Sequence, residues 1–399
     1  MKLPGYVKNC ISLLENSGYS AYAVGGAVRD SLLGREPSDW DVTTSAKPED
    51  ILTVFSDYRT IPTGIKHGTV TVLFEDDGKH VPIEVTTYRI DGEYRDSRHP
   101  SDVEFSNSVF DDLSRRDFTV NAMAYNEKDG LIDAFGGRDD LERGIIRTVG
   151  DPEKRFSEDA LRILRAFRFS AQLGFAIDES TYVAACKCAH LLKNIARERI
   201  GAELKRLFAS SDPVYALEKM VSGGVWREIF SAAEPKDYLV SKLNSHVLTH
   251  FETRLAILLS GFDSDSAEMF MDSLRFSNAE KKIILRLSNV QDFEINDELE
   301  KSARQFLHLY IDIFELSLEI LDFWHKNEQF LDVLRREYAL KRPLKLSSLA
   351  IKGNDVLPLC NGDHKRVGLI LNSLLELVIE DPTLNERDTL LKIIQKDLV

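Results

Sequence analysis

The 399-residue sequence predicts an α+β protein: a head built on a small mixed sheet, then an all-α neck, body and tail. Three observations predict it. Up to about residue 150, short strands and short helices take turns. Within that stretch "GTVTVLFED", "DGK" and "HVPIEVTTYRI" alternate around a glycine turn as a hairpin does. Beyond Gly150 nearly every segment has helical period. The chain is also too long for one ordinary core. The expected domains are 1–150 (head), 151–213 (neck), 214–300 (body) and 301–399 (tail).

"MKLPGYVKNCISLLENSGYS" reads as a short amphipathic helix. "AYAVGG" is a strand running into glycines, and "AVRDSLLG" is a helix that stops at Gly34. "DWDVTTS" is a strand, which puts Asp39 and Asp41 on one face and sends Trp40 the other way, into the head's core. "KPEDILTVFSD" opens a helix with Pro48 near its first turn. In "IEVTTYR", Glu84 stands between Ile83 and Val85 and faces away from both. "DLSRRDFTVNAMAYN" packs Asp112, Arg115, Arg116, Asp117 and Asn121 into one short element, with Asp117 and Asn121 on one helical face. In "DPEKRFSEDALRILRAFRF", Ser157 is the expected N-cap. Ala160, Ile163, Leu164 and Phe167 gather on one side of that helix. Asp159, Arg162 and Arg165 gather on the other, with Arg168 at the edge.

Composition excludes several classes. Hydrophobic residues make up 43%, enough to fill real cores. No apolar run approaches the ~20 residues of a membrane span, so no membrane partner is expected. The N-terminus lacks the apolar centre of a signal peptide, which makes a cytoplasmic location the expectation. Cys10, Cys186, Cys188 and Cys360 do not form a zinc pattern and read as reduced structural thiols. A net charge of −14 argues against coating nucleic acid along the whole chain. Residues 151–210 run against that balance, with eleven cationic side chains against eight acidic ones.

The chemistry lies in four clusters. Gly25 and Gly26, between strand and helix, let backbone N–H groups approach an anion, and Arg29 can reach the same anion. Asp39 and Asp41 repel each other unless a hard divalent cation such as Mg2+ takes both as ligands. Glu84 on a neighbouring strand would complete a two-metal site. Arg116 suits a triphosphate, and Asp117 with Asn121 suits sugar hydroxyls or phosphate. The Asp159, Arg162, Arg165 and Arg168 stripe offers donors and acceptors to a nucleobase edge. A solvated ion-pair stripe is the plainer alternative.

"GGAVRD", "DWD", "IEVTTYR", "RRDFTVNA" and "EDALRILRAFRF" stand in the order of the class II tRNA nucleotidyltransferases, which these residues resemble over about 20–205. That family comprises the CCA-adding enzymes and their bacterial poly(A) polymerase relatives, within the DNA polymerase β-like superfamily. The resemblance implies a nucleotidyltransferase head that extends the tRNA 3′ end at the acceptor arm from CTP and ATP. It implies Asp39 and Asp41 as catalytic magnesium ligands with Glu84 as third acid. It also implies Gly26 and Arg29 at the phosphates, Arg116 and Asp117 at triphosphate and ribose, and Asp159 with Arg162 as the protein template that reads C or A. Arg165 and Arg168 are similar to further nucleotide-binding arginines. "ERIGAEL", with Glu198, Arg199 and Glu203, resembles the motif that supports the template.

Addition of C, C and A is the expected activity. Poly(A) polymerase is disfavoured because the tail ends "IIQKDLV" without a basic extension. A CC-only enzyme is disfavoured because "RIDGEYRDSRHPSDVEF" resembles the flexible loop such enzymes lack, whereas an A-only enzyme stays open. A non-catalytic relative would have lost an acid, and none is lost. His246 and His250 lack an adjacent His-Asp pair and read as surface residues, so no phosphohydrolase is expected. The sequence leaves the oligomeric state open.

Overall fold

A computed structural model describes all residues except 92–102, 231–233, 245–246, 326, 361–362 and 399. The described residues divide into two compact units, 1–244 with 268–276 and 245–267 with 277–399.

The first unit holds a seven-stranded sheet. Its strands are β1 (Ala21–Val24), β2 (Asp41–Thr44), β3 (Arg59–Gly64), β4 (Thr69–Asp76), β5 (Lys79–Thr87), β8 (Ala124–Asn126) and β9 (Gly130–Ile132). Strands β6 (Arg89–Asp91) and β7 (Val103–Phe105) pair separately, antiparallel to each other. The order across the sheet is β3-β4-β5-β2-β1-β8-β9. The expected β4–β5 hairpin is present. Within this sheet only β2 and β5 run parallel; every other neighbouring pair in it is antiparallel.

The two-residue alternation assigns each side chain a face. Ala21, Ala23, Val42, Ile83 and Val85 join one core with helices α1 (Gly5–Asn16) and α3 (Pro48–Val54). Trp40 is buried in that core, as its position between two acids predicts. Tyr22 and Val24 point the other way and pack with Tyr88, Leu113 and Ala124. Leu113 belongs to α4 (Val109–Ser114). Asp41 is opposite Val24 in the register, so it lies on this second face. A slip of one residue would send it into the apolar core instead.

Helix α2 (Gly26–Leu32) follows β1, and α5 (Gly137–Arg143) packs on the short 3₁₀ turn Thr119–Asn121. The helices that follow are α6 (Pro152–Glu158), α7 (Leu161–Leu173), α8 (Glu179–Cys188) and α9 (Arg197–Phe208). Here the structure corrects an expectation. Asp151 caps α6, accepting from Lys154 N at 2.7 Å, and Pro152 takes the first helical position. Ser157 is interior to α6 and donates to the Glu153 carbonyl at 2.8 Å. The chain breaks at Asp159, whose φ of −139° is extended, before α7 begins.

The secondary-structure elements of the second unit are all helices among its described residues, with Phe306 and Phe330 in its core. There Arg304 donates to the Ile379 and Glu380 carbonyls, both at 2.6 Å, and closes the end of helix His364–Glu380. Among the described residues no helix is long and apolar enough to cross a membrane. All four cysteines are free; three are buried and Cys186 is partly so. His250 is an exposed residue bonded to Glu319, and His246 lies outside the described residues.

Gly137 tests how tightly the turn carrying Asn121 is held. A Cβ there would meet the Thr119 carbonyl oxygen at 2.3 Å, whereas one at Gly5 meets nothing within 4 Å. Gly137→Ala should cost about 1–3 kcal/mol in denaturant unfolding, with Gly5→Ala near neutral.

Candidate active site

The site begins where β1 turns into α2. Gly25 has φ +77°, a conformation that disfavours any side chain. A Cβ there would also lie 3.0 Å from Nη1 of Arg116, so a side chain would press on that guanidinium as well. One helical turn on, Arg29 is buried. Its Nε and Nη2 donate to Asp30 at 2.8 and 2.9 Å, and its Nη1 to Asn121 Oδ1 at 2.7 Å.

The acids come next. Asp41 opens β2 and is register-paired with Glu84 of β5, so both carboxylates leave the same face. Asp39 is not on the strand as expected; it lies two residues before it and accepts from Ser38 at 2.7 Å. Trp40, anchored in the opposite core, separates the two. Burial, then Glu84, pushes the Asp41 carboxyl up to about 6 against the pull of Arg116, and Asp39 adds to the rise. Among the described residues no group of three or more His, Cys, Asp or Glu stands at metal-binding spacing. The three acids are still close enough for Asp41 to sense both others.

Opposite them stands Asp112, fully buried and unassigned by sequence. Its Oδ1 accepts from Arg115 Nε and Nη2 at 3.0 and 2.6 Å. Its Oδ2 accepts from Arg116 at 3.1 Å and from Thr43 of β2 at 3.2 Å. Burial works against this charge, yet Arg116 and Arg115 hold the carboxyl below its usual range. The four-residue spacing to Arg116 was the available signal. Arg116 Nε is buried and has no hydrogen-bond partner among the described residues.

Asp117 and Asn121 do not share a regular helix, because α4 ends at Ser114 and a 3₁₀ turn starts at Thr119. They meet nonetheless. Asp117 accepts from Phe118 N at 2.9 Å, Asn121 Nδ2 at 3.2 Å and Arg165 Nε at 2.7 Å. Burial opposes its charge, but Arg165, Asn121 and Arg162 bring the carboxyl down to about 2.

The stripe does not lie on one continuous helix, because Asp159 stands in the break before α7. Arg162 and Arg168 are buried. Arg162 does not pair with the Asp159 side chain: it donates to Glu158 at 2.8 Å and to the carbonyls of Arg155 and Arg115 at 3.1 and 3.0 Å. The same Glu158 oxygen accepts from Arg155 at 2.8 Å. Asp159 sits in the break before α7 and meets Arg199 at 3.4 Å. Arg199 Nη1 is buried without a hydrogen-bond partner among the described residues. Arg168 donates to Glu203 at 2.5 Å and to Gln172 at 2.7 Å. Sequence reasoning passed over Glu158, although its spacing to Arg155 and Arg162 is that of helical ion pairs. The stretch 89–105 is described only at its ends, β6 and β7; residues 92–102 lie outside the described residues.

Known proteins are similar to this chain. A family model described as "Poly A polymerase head domain" matches residues 21–147. Another, "Probable RNA and SrmB- binding site of polymerase A", matches 174–236. The CCA-adding enzyme of Leuconostoc mesenteroides is 34% identical over 96% of this chain and 94% of its own length. The chain belongs to the CCA-adding enzyme family. The CCA-adding enzyme of Bacillus velezensis is 37% identical over 87% of the chain and 86% of its own. The crystal structure of the Bacillus stearothermophilus CCA-adding enzyme in complex with CTP superposes with a TM-score of 0.82. It is 31% identical and covers 100% of this chain and 98% of that one.

Nucleotidyl transfer in CCA-adding enzymes depends on a divalent metal, and the residues present fit one. Oxygen donors are what a hard cation takes, and Asp41 is held part-protonated by burial and its acidic neighbours. The expected pH dependence follows. Below about pH 4 Asp41 is protonated whether the chain is folded or not. Between about pH 4 and 6 only the folded protein keeps that proton, so its contribution to stability is lost as pH rises through about 6. The loss is worth up to about 3 kcal/mol. A divalent cation binds the carboxylate and opposes the loss. In thermal unfolding it should stabilise the protein more at about pH 7.5 than at about pH 5, and Asp41→Asn should flatten that difference.

Proposed function

We propose that this protein adds C, C and A in turn to the 3′ end of tRNA, from CTP and ATP, releasing pyrophosphate. Similarity to CCA-adding enzymes over nearly the whole chain supports the reading. The observation that carries it is the register pairing of Asp41 and Glu84, with Arg116 near enough to pull on the Asp41 charge.

Asp39 and Asp41 would hold Mg2+, with Glu84 as the third acid. Once bound, the ion supplies activation of the terminal hydroxyl of the tRNA and neutralisation of phosphate charge. The chain's own residues do the rest. Arg116 and Arg29 take the triphosphate, next to the Gly25–Gly26 backbone. Asp117 and Asn121 fix the ribose end. Asp159 offers an acceptor and Arg162 donors to the base edge, and each is oriented by a different partner, Arg199 and Glu158. Cytosine and adenine satisfy such a pair, whereas guanine and uracil would leave buried polar groups unmatched, which is costly. Arg165 and Arg168 brace that surface. Residues 151–213 thus serve base reading, and the helices of 214–300 and 301–399 serve tRNA. The tRNA substrate fits a cytoplasmic enzyme.

The decisive measurement is extension of tRNA lacking its last one, two or three nucleotides with each labelled nucleoside triphosphate. Addition of C, C and A followed by arrest is the expected result. A long A tail, or A added only to tRNA already ending in CC, would overturn it. Asp41→Ala or Asp39→Ala should remove several kcal/mol of transition-state stabilisation, roughly a thousandfold in rate, with tRNA binding nearly intact. Arg162→Ala should blur the choice between C and A by about 1–3 kcal/mol while changing triphosphate affinity less. Competition between CTP and ATP on one tRNA measures it.

A further inference from the structure

We propose that Phe169 is a positioning residue for the nucleoside triphosphate, setting the arginines of the phosphate end and of the base end against one another through its ring. The proposal rests on the functional reading above.

Three guanidiniums converge on this one ring. Arg168 lies 3.9 Å from its centroid, Arg165 5.2 Å and Arg29 5.3 Å. All three are within the range of cation–π attraction. Arg29 comes from α2 in the head, whereas Arg165 and Arg168 come from α7, so the ring joins two elements far apart in sequence. Three cations around one buried point repel each other, and a low-dielectric surrounding strengthens the repulsion. Each has its own acid: Asp30, Asp117 or Glu203. Those acids set each charge singly, whereas the ring touches all three.

The ring itself is fixed. Phe118, fully buried, meets it edge-on at 5.8 Å with an interplanar angle of 79°. A polar chain runs alongside: Arg29 donates to Asn121, Asn121 donates to Asp117, and Asp117 accepts from Arg165. This chain carries direction, and the ring carries spacing. A leucine would fill much of the same volume yet present no negative face to the cations. Phe169 is 7% exposed, so its work is on the arginines rather than on the substrate itself.

Replacing Phe169 by mono-, di- and trifluorophenylalanine nearly conserves shape and removes the negative face in steps. KM for both CTP and ATP should rise step by step, by about tenfold across the series, with kcat falling less. Phe169→Tyr should behave as wild type and Phe169→Leu as the trifluoro variant, at melting temperatures within a few degrees of one another. A KM that stays flat across folded variants, or that follows melting temperature instead of fluorine number, overturns the proposal. Titration of CTP without tRNA reads the same trend in Kd and needs no turnover. If that trend holds while the wild-type protein fails to extend tRNA, it is the functional reading that falls.

Discussion

The parallel pairing of β2 with β5 places Asp41 level with Glu84, and the rest of the head is arranged around that opposition. Burial, and then Glu84 on the adjacent strand, raise the proton affinity of Asp41. The fold could avoid the strain by a one-residue shift of either strand, but then Val42 or Val85 would leave the main core for the polar face. Apolar burial on one side of the sheet therefore enforces an unfavourable charge arrangement on the other. Cations answer it at a distance: Arg116 stabilises the charged form of Asp41, and Asp112 in turn holds Arg116.

The arginines obey a similar economy. Each buried guanidinium carries a desolvation cost that only a well-placed anion offsets. Arg165 finds Asp117, Arg168 finds Glu203, and Arg162 finds Glu158. Two of these three partners lie more than thirty residues away in sequence. The result is a set of donors whose directions are set by the protein before any ligand arrives, which is what selective recognition of a charged nucleotide needs.

The parts legible in the sequence were those governed by short-range periodicity. Alternation at "IEVTTYR" gave Glu84 its outward face, alternation at "DWDVTT" sent Trp40 inward, and the glycine turn marked the β4–β5 hairpin. What escaped was decided by partners remote in the chain or by local competition. Ser157 had the chemistry of a cap, but Asp151 with Pro152 offered a better one six residues earlier. The stripe of Asp159, Arg162 and Arg165 assumed one continuous helix, and the extended Asp159 breaks it. Asp112 stood beside Arg115 and Arg116 without a role, because nothing local announces that Thr43 would approach it from β2.

Asn121 has an implication for inheritance. Its carboxamide is polar in one sense only: the oxygen faces Arg29 and the nitrogen faces Asp117. An aspartate there would oppose Asp117, and a leucine would satisfy neither neighbour. The phosphate-facing and base-facing halves of the pocket are thus joined by a link that cannot be reversed. Exchange of segments between relatives by recombination should succeed when the crossover keeps 29, 117, 121 and 165 from one parent, and should produce mismatched pockets when it divides them.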